Sequence, residues 1–429
     1  MRTVSKTVIG VDFGTQSARA VLVNAENGEI IYSCRKEYPY NSTPVPAIDC
    51  AENLPCATDY EMTLYELLRN VIPEEYRKTV AGICVDATSL TMVLLAEDGR
   101  ALSELDGWSE AAHARVKLWK YHRAQEKADE ALNLARNLQE PFLGRTGGSI
   151  SCEWMLPKLL EVRDEAPEIY SKIDLAMDLC EFLTFRLTGQ LVRSIGSLSY
   201  KCLWAEDLSF PERTFLNGLR AGFYEEYCHF LRGDVRKPGE CAGMLRSELT
   251  KRGGLPKQIP VATGMLDGHT SLATMGAFEP GDAALIVGTS NVCTVQDRKL
   301  QELKDVCGVA QDGMVTGSCG IDTGQSSTGN MLGWFVEHMA GWQIHREAEE
   351  RKISPHQVLA ERIQKPWENK VIAVDWWSGS RNAPCDLTLR GSMSGLEMDT
   401  KTEDIYLALL QAIACGTGTI LESLSGQGV

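Results

Sequence analysis

The signatures that would assign this chain of 429 residues to a common nucleotide-binding class are missing from it. It has no G-x-x-x-x-G-K-[ST] phosphate loop, and no G-x-G-x-x-G motif leads from a strand into a helix, so P-loop and dinucleotide-binding proteins are disfavoured. None of the 14 cysteines forms a C-x-x-C pair, and the 7 histidines show no H-E-x-x-H spacing. We therefore expect no structural zinc site and interpret the cysteines as thiols in a reducing compartment.

Positive charge and long apolar runs are scarce as well. Lys and Arg number 43 against 58 Asp and Glu, a formal net charge of −15, which disfavours nucleic acid and anionic membranes as partners. The apolar run near residues 90–96 is much shorter than the about 20 residues of a membrane span, and the N-terminus lacks a signal-peptide core. We expect a cytoplasmic protein that binds neither nucleic acid nor membrane.

The remaining composition is that of a globular protein, with 44% hydrophobic and 24% charged residues. Three stretches, VDFGTQSARAVLVNAENG, VDATSLTMVLLAEDG and LIVGTSNVCTV, each place a turn of small residues between two apolar strands. They predict antiparallel hairpins, and their recurrence in both halves suggests a duplicated domain. Apolar periodicity predicts helices between the hairpins, among them segments near residues 60–70, 111–137, 152–165, 178–187 and 402–424.

Two of the turns contain Gly-Thr and are candidates for phosphate binding. A tight turn of small residues lets backbone N–H groups point at one spot, where they can hold phosphate oxygens. Asp12 lies beside the first turn, where a carboxylate can hold Mg²⁺ or simply cap the turn. Asp267 lies between glycines in GMLDGH, at the junction of the halves. Its carboxylate can accept a substrate proton or cap the helix that follows.

Stretches along nearly the whole chain carry a family resemblance. They include IGVDFGTQSARAVLV, CVDATSLTMVLL, HARVKLWKYHRAQ, SYKCLW, GMLDGHTSLATMGAFEPGDAALIVGTSNV and CGIDTGQSSTGNMLGWF. In this combination the sequence resembles the FGGY carbohydrate kinases of the actin, Hsp70 and hexokinase superfamily, and among them most closely the L-ribulokinases. The resemblance implies an α/β fold of two ribonuclease-H-like (actin-like) lobes, each with a mixed five-stranded sheet and flanking helices. It also implies an interlobe cleft, with the first lobe at residues 1–260 and an incomplete second lobe at residues 261–429.

The same resemblance implies roles for single residues. Asp267 matches the catalytic base, and Asp12 matches the carboxylate on the Mg²⁺ side. Two phosphate-binding turns correspond to Gly14, Thr15, Gln16, Gly288, Thr289 and Ser290. On the sugar side, the implied contacts are Ser89, Lys201, Asp267 and Asp322.

The sequence departs from the family pattern in three places. Asp322 stands where a sugar-contacting Glu is expected, and Asn330 stands where the pattern usually gives Asp. Family chains continue beyond the helix at residues 402–424 into a glycine-rich segment and a helix that hold adenine and ribose, whereas this sequence ends at Val429. We therefore expect a C-terminally truncated chain.

The leading interpretation is an ATP- and Mg²⁺-dependent kinase that phosphorylates the terminal hydroxyl of L-ribulose in L-arabinose catabolism. Three alternatives stay open: a kinase for another sugar or polyol such as xylulose, ribitol or glycerol, an inactive sugar-binding remnant, and an actin-like filament protein or chaperone ATPase. The expected partners are the sugar and ATP, and the oligomeric state is open between monomer and homodimer.

Overall fold

The computed structural model describes residues 6–38, 54–253, 255–364, 366–381, 386 and 388–429. The chain forms two compact units. The first consists of Met1–Leu143, Ser149–Gly276 and Ala310–Gly320, and the second of Gly144–Gly148, Ala277–Val309 and Ile321–Val429. The expected boundary after residue 260 therefore differs from this division, in which the first unit runs to Gly276 and takes in a later segment.

The central sheet of the first unit begins with an antiparallel meander. Its strands are β1 (Thr7–Phe13), β2 (Ser17–Asn24), β3 (Ile30–Glu37), β4 (Val80–Ala87), β9 (Cys241–Met244), β10 (Pro260–Ala262) and β11 (Met265–Leu266). The strand order is β3-β2-β1-β4-β10-β9, and β11 also pairs with β4. β1 runs antiparallel to β2 and parallel to β4, so the sheet is mixed. Short strands β5 (Met92–Leu95), β6 (Leu175–Asp178), β7 (Val192–Ser194) and β8 (Asp234–Arg236) form two further pairs.

Ten helices of the described chain belong to the first unit. They are α1 (Ala57–Asn70), α2 (Gln125–Leu138), α3 (Met155–Glu165), α4 (Pro167–Tyr170), α5 (Leu179–Thr188), α6 (Ile195–Lys201), α7 (Arg213–Leu219), α8 (Phe223–Phe230), α9 (Ser247–Gly253) and α10 (Asp267–Met275). Side chains of the central sheet, α1 and α5 share one apolar core, while α2, α3, α7 and α8 surround a second core. The site described below lies on elements held by these two cores.

The second unit contains a hairpin sheet covered by helices. Its strands are β12 (Ala283–Val287), β13 (Asn291–Asp297), β16 (Ile372–Ala373) and β17 (Met393–Ser394). β14 (Gly308–Gln311) and β15 (Cys319–Gln325) lie partly in it and partly in the segment Ala310–Gly320, which is assigned to the first unit. The main sheet has the order β12-β13-β15-β14, and β16 pairs with β17. The helices are α11 (Gly329–His338), α12 (Trp342–Arg351), α13 (Pro355–Arg362) and α14 (Thr402–Gly426), and side chains of all four meet in one apolar core.

The structure confirms the predicted α/β fold with mixed sheets and flanking helices, and it corrects three local predictions. The expected five strands per sheet are wrong, because the described main sheets have seven and four strands. The predicted hairpin in VDATSLTMVLL is absent, since β5 pairs with β6 and β4 pairs with β1. The predicted helix over residues 111–137 is limited to Gln125–Leu138, because backbone groups before it bond to distant partners, such as the Lys117 N–H to Met92 O at 3.1 Å.

Helix α14 is long and apolar enough, by length and composition, to cross a membrane. The core helix of a globular domain can meet the same criterion, so this property is weak evidence for a membrane span. In the second unit, Tyr406 and Leu409 of α14 are buried against α11 and α13 in the apolar core.

Candidate functional site

Three aspartates gather at the carboxyl ends of neighbouring parallel strands in the first unit. Asp12 and Asp86 are directly paired in the register of β1 and β4. Asp267 follows β11, whose Met265 pairs with Asp86 and whose Leu266 pairs with Ala87. Since parallel strands end at the same edge of a sheet, the three carboxylates share one edge, where ligand sites of α/β sheets commonly lie.

Asp267 is the first residue of α10, and its side chain is half-buried. Burial raises the pKa of Asp267 to about 6, although N–H donors at Gly268 and Ser89 and the charge of Lys201 oppose the shift. The charge of Asp12 acts in the same direction as burial. The Gly268 N–H lies 2.7 Å from Asp267 Oδ1, so the expected helix-capping interaction is present together with the environment of a proton acceptor.

Asp86 is the site residue that the sequence analysis missed. It lies opposite Asp12 in the strand register, and burial, followed by the negative charge of Asp12, raises the pKa of Asp86 well above its ordinary range. A signal was present in the sequence, because the dipeptide Val-Asp occurs in both IGVDFG and ICVDAT. Without the parallel pairing of β1 and β4, the two dipeptides could not be recognised as neighbours.

The loop after β4 brings Ser89 to the same place. The Ser89 backbone N–H faces the Asp267 carboxylate and helps to lower its pKa, while the Ser89 Oγ is buried and has no hydrogen-bond partner among the described residues. Gly264 enables the approach of the chain before β11, because a Cβ at this position would lie 2.6 Å from the carbonyl oxygen of Cys180 in α5.

Lys201 ends α6, a helix that packs against β11. Its side chain is buried, and its positive charge is close enough to lower the pKa of Asp267. The next residue towards the N-terminus, Tyr200, contacts the ring of His269 edge-on, with ring centroids 4.5 Å apart. The predicted residues Asp12, Ser89, Lys201 and Asp267 thus lie together within the first unit.

The first Gly-Thr turn joins β1 to β2. The Gly14 N–H donates to Ser17 O at 3.1 Å, and the Tyr38 hydroxyl donates to Gly14 O at 2.8 Å, so the turn is anchored on both sides. The Thr15 hydroxyl accepts a hydrogen bond from the indole N–H of Trp119 at 3.1 Å. In the described part of the chain, the Thr15 backbone N–H has no backbone acceptor, which suits a phosphate-binding turn.

The second Gly-Thr turn joins β12 to β13 in the second unit. The Gly288 N–H donates to Ser290 O at 3.1 Å, a closure that resembles the first turn. Within the described residues, the backbone N–H groups of Thr289 and Ser290 likewise have no backbone acceptor.

Asp322 belongs to the same unit, where it is buried in β15, and its charge contributes, after burial, to the raised pKa of Cys293.

Asn330, one of the departures from the family pattern, lies in the first turn of α11, Gly329–His338. Its Oδ1 accepts the Ser327 hydroxyl at 3.1 Å, the Thr328 N–H at 3.0 Å and the Met331 N–H at 3.0 Å. These bonds satisfy donors at the start of a helix, as an Asp would.

The residues at the sheet edge have the donor chemistry that Mg²⁺ prefers. Among the described residues, no group of three or more His, Cys, Asp or Glu side chains has the geometry of a metal cage. Mg²⁺ is commonly bound by only one or two carboxylates together with water and substrate phosphates. Asp12 and Asp86 form such a pair, and the negative charge of Asp12, which helps to raise the pKa of Asp86, shows that negative charge is concentrated at this edge. The two carboxylates therefore fit Mg²⁺.

Two family models together match nearly the whole chain. The N-terminal domain of the FGGY family of carbohydrate kinases matches residues 7–274, and the C-terminal domain of that family matches residues 283–429. The chain belongs to the FGGY family of carbohydrate kinases, and it is accordingly a carbohydrate kinase.

Among curated proteins, the chain is similar to ribulokinases. It is 34% identical over 435 residues to the ribulokinase of Halalkalibacterium halodurans, with 99% of this chain and 77% of the relative aligned. It is 36% identical over 440 residues to the ribulokinase of Mycolicibacterium smegmatis, again with 99% and 77% coverage.

Solved structures share the fold at lower identity. A xylulose kinase from Rhodospirillum rubrum superposes with a TM-score of 0.75 at 20% identity, covering 99% of this chain and 80% of that one. A glycerol kinase from Plasmodium falciparum with ADP gives a TM-score of 0.76 at 16% identity, covering 98% and 79%. At such identities the likeness supports the fold alone.

Proposed function

We propose that this carbohydrate kinase transfers the terminal phosphoryl group of ATP to the terminal hydroxyl of L-ribulose in the cytoplasm, as a step of L-arabinose catabolism. The observation that carries the proposal is the half-buried Asp267 side chain, whose carboxylate accepts the Gly268 N–H and has its pKa influenced by the Ser89 N–H and by the charge of Lys201. The similarity to ribulokinases along nearly the whole chain favours L-ribulose over other sugars.

Asp267 is the general base in this proposal. Its raised pKa of about 6 leaves the carboxylate ionised at neutral pH but makes it a better proton acceptor than an exposed aspartate. The Ser89 and Gly268 N–H groups orient the carboxylate so that one oxygen accepts the proton of the sugar hydroxyl. Lys201, Ser89 and Asp322 are proposed as further sugar contacts.

The phosphate side of the reaction relies on positioning and electrostatics. We assign the backbone N–H groups of Thr15, Thr289 and Ser290 as donors to phosphate oxygens, and Gly14, Gln16 and Gly288 as the residues that shape the two turns. Asp12, with Asp86 beside it, would hold Mg²⁺, which supplies positive charge against the negative charge of the transferring group. The proposed sugar-binding lobe is residues 1–260, and residues 261–429 form the proposed second lobe.

The experiment is a substrate panel combined with Asp267→Asn. L-ribulose, xylulose, ribitol and glycerol are compared at saturating ATP and Mg²⁺ by ADP release, and the highest kcat/KM is expected for L-ribulose. Asp267→Asn retains the side-chain shape but is a poor proton acceptor, so kcat should fall by about 10²- to 10⁴-fold.

A matched control is Asp59→Asn. Asp59 is also partly buried and accepts a backbone N–H at a helix start, that of Cys56 at 3.3 Å, but it lies in α1. This variant should keep the parental kcat. A loss below about tenfold for Asp267→Asn, or a preference for another sugar, would contradict the corresponding part of the proposal.

A further inference from the structure

Leu90, which follows the proposed sugar-side residue Ser89, has an unusual backbone conformation. Its φ is +62°, in the left-handed region, and its side chain is buried at 4% exposure. For a bulky residue without a glycine's freedom, this conformation is strained and persists only when the surroundings enforce it.

Two buried ionisable side chains form hydrogen bonds with the backbone N–H and the backbone carbonyl oxygen of Leu90. The Leu90 N–H donates to Asp178 Oδ2 at 3.0 Å, and Lys158 Nζ donates to Leu90 O at 2.7 Å. Lys158 also donates to Leu118 O at 2.9 Å, and Asp178 also accepts the Leu179 N–H at 2.8 Å. The hydrogen-bond partners of both side chains are mainly backbone groups.

Such groups are costly to bury. Lys158 and Asp178 are each 0% exposed. Burial lowers the pKa of Lys158 to about 8 and raises the pKa of Asp178 to about 7. A buried charged or polar group destabilises a protein unless its hydrogen bonds are satisfied, and here the satisfied bonds converge on one strained residue.

The Leu90 N–H that Asp178 binds belongs to the peptide bond between Ser89 and Leu90. Because the Leu90 N–H is held by Asp178, the position of the Ser89 backbone is restricted. This backbone lies beside Asp267, since Ala87 pairs with Leu266, and the Ser89 N–H helps to lower the pKa of the Asp267 carboxyl group. The same loop is closed on its other side by the Thr88 N–H, which donates to Phe13 O at 2.9 Å.

We propose that Lys158 and Asp178 are positioning residues for Asp267, holding the Ser89–Leu90 backbone where the Ser89 N–H meets the carboxylate. This inference rests on the proposed function, in which Asp267 is the general base. Neither side chain is placed in contact with sugar or phosphate. Their effect on the reaction is transmitted through the backbone of two residues.

Lys158→Met tests the inference, with Lys117→Met as the matched control. Lys117 is also 0% exposed, and burial lowers its pKa to about 8, but its Nζ lies near Ala112 O and His113 Nδ1 rather than at Leu90. Both variants should lower the melting temperature. Only Lys158→Met should lower kcat for L-ribulose, by about 10- to 100-fold, the effect of a lost hydrogen bond to a charged group, while the KM for ATP stays within about twofold.

A double-mutant cycle separates positioning from general destabilisation. If Lys158 acts through Asp267, Lys158→Met should lower the residual kcat of Asp267→Asn by less than about threefold, because coupled residues are non-additive. A full additional loss in this background, or equal kcat losses for Lys158→Met and Lys117→Met, would overturn the inference.

Asp178→Asn provides a second route if Lys158→Met does not fold. Asn keeps the shape of Asp178 but has only one acceptor oxygen for the donors of Leu90, Leu179 and Ser197. It should lower kcat in the parent and leave Asp267→Asn nearly unchanged, whereas parental kcat in Asp178→Asn would overturn the inference. Parental kcat in Asp267→Asn would instead overturn the proposed base, which distinguishes the two failures.

Discussion

The indole N–H of Trp119 donates to the hydroxyl oxygen of Thr15 at 3.1 Å, linking KLWKYHR to the first Gly-Thr turn. An indole can only donate, so the Thr15 oxygen must accept, and its own proton is left to donate elsewhere. The bond therefore sets the polarity of a hydroxyl in the proposed phosphate-binding turn. It also gives a structural role to a motif that the sequence analysis connected to function only by resemblance.

Trp119→Phe is expected to weaken nucleotide binding selectively. Phe retains most of the ring but loses the N–H donor, so the KM for ATP should rise about two- to tenfold, the effect of one neutral hydrogen bond, while the KM for L-ribulose stays the same. Steady-state kinetics with each substrate varied in turn measure both constants. Trp108→Phe is the control, because Trp108 and Trp119 both pack at the edge of the second apolar core of the first unit. Equal increases of the KM for ATP in the two variants would contradict the prediction.

Lys201→Met should separate sugar binding from nucleotide binding. The buried ammonium group of Lys201 is expected to contact sugar oxygens, so its removal should weaken L-ribulose binding about tenfold or more and leave ADP binding unchanged. Calorimetric titration with L-ribulose and with ADP measures the two affinities. Lys127→Met, which breaks the ion pair with Asp164, is a control expected to leave both affinities unchanged. Loss of ADP binding with sugar binding retained would reverse the assignment of Lys201.

The activity should have an acid limb near pH 6. Burial raises the pKa of Asp267 to about 6, so the ionised base predominates above this pH, and kcat/KM should fall about tenfold per pH unit below it. The positive charge of Lys201 lowers this pKa, so Lys201→Met should move the limb to higher pH. Initial rates from about pH 4.5 to about pH 8, with melting curves at each pH to exclude unfolding, provide the measurement. A flat profile down to pH 5 would argue against Asp267 as the base.

Arg193 and Glu181 form a buried ion pair on which the first unit depends. Arg193 is 0% exposed, and its Nη1 lies 2.8 Å from Glu181 Oε2. Arg193→Met would leave the Glu181 carboxylate buried without its cation, so we expect a loss of about 3–5 kcal/mol in unfolding free energy. Arg346→Met, which removes the exposed pair with Glu350, should cost less than about 1 kcal/mol. Denaturant titration of both variants checks this, and similar losses would be inconsistent with the described burial.

Two glycines of α14 should respond oppositely to alanine. A Cβ at Gly416 would lie 2.5 Å from both Asp375 Oδ2 and Gln325 Nε2, whereas a Cβ at Gly418 would meet nothing within 4 Å. Gly416→Ala should therefore disturb the hydrogen bond between these two side chains, which is 2.6 Å long, and lower the melting temperature. Gly418→Ala should raise stability by up to about 1 kcal/mol, since alanine favours helix. Thermal melts of the two variants measure these effects. A higher melting temperature for Gly416→Ala would contradict the prediction and show that α14 can shift away from Asp375 and Gln325.

The sequence by itself determined the features that depend on neighbours along the chain. The hairpin at β1 and β2, the hairpin at β12 and β13 and the helix ending at Gly189 were predicted because turn residues and apolar periodicity are local signals. The α/β fold and the family followed from the combination of such segments. The roles of the individual site residues remain proposals.

Only the tertiary structure decided which distant segments meet. β4 pairs with β1, β10 and β11 rather than with β5, and this pairing brings Asp86 beside Asp12 and close to Asp267. Likewise, no local pattern marks Lys158 and Asp178 as partners of Leu90, because these contacts span 68 and 88 positions along the chain. Parallel strand pairing and buried side-chain-to-backbone bonds depend on the whole packed core, so they leave little trace in the short-range periodicity of the sequence.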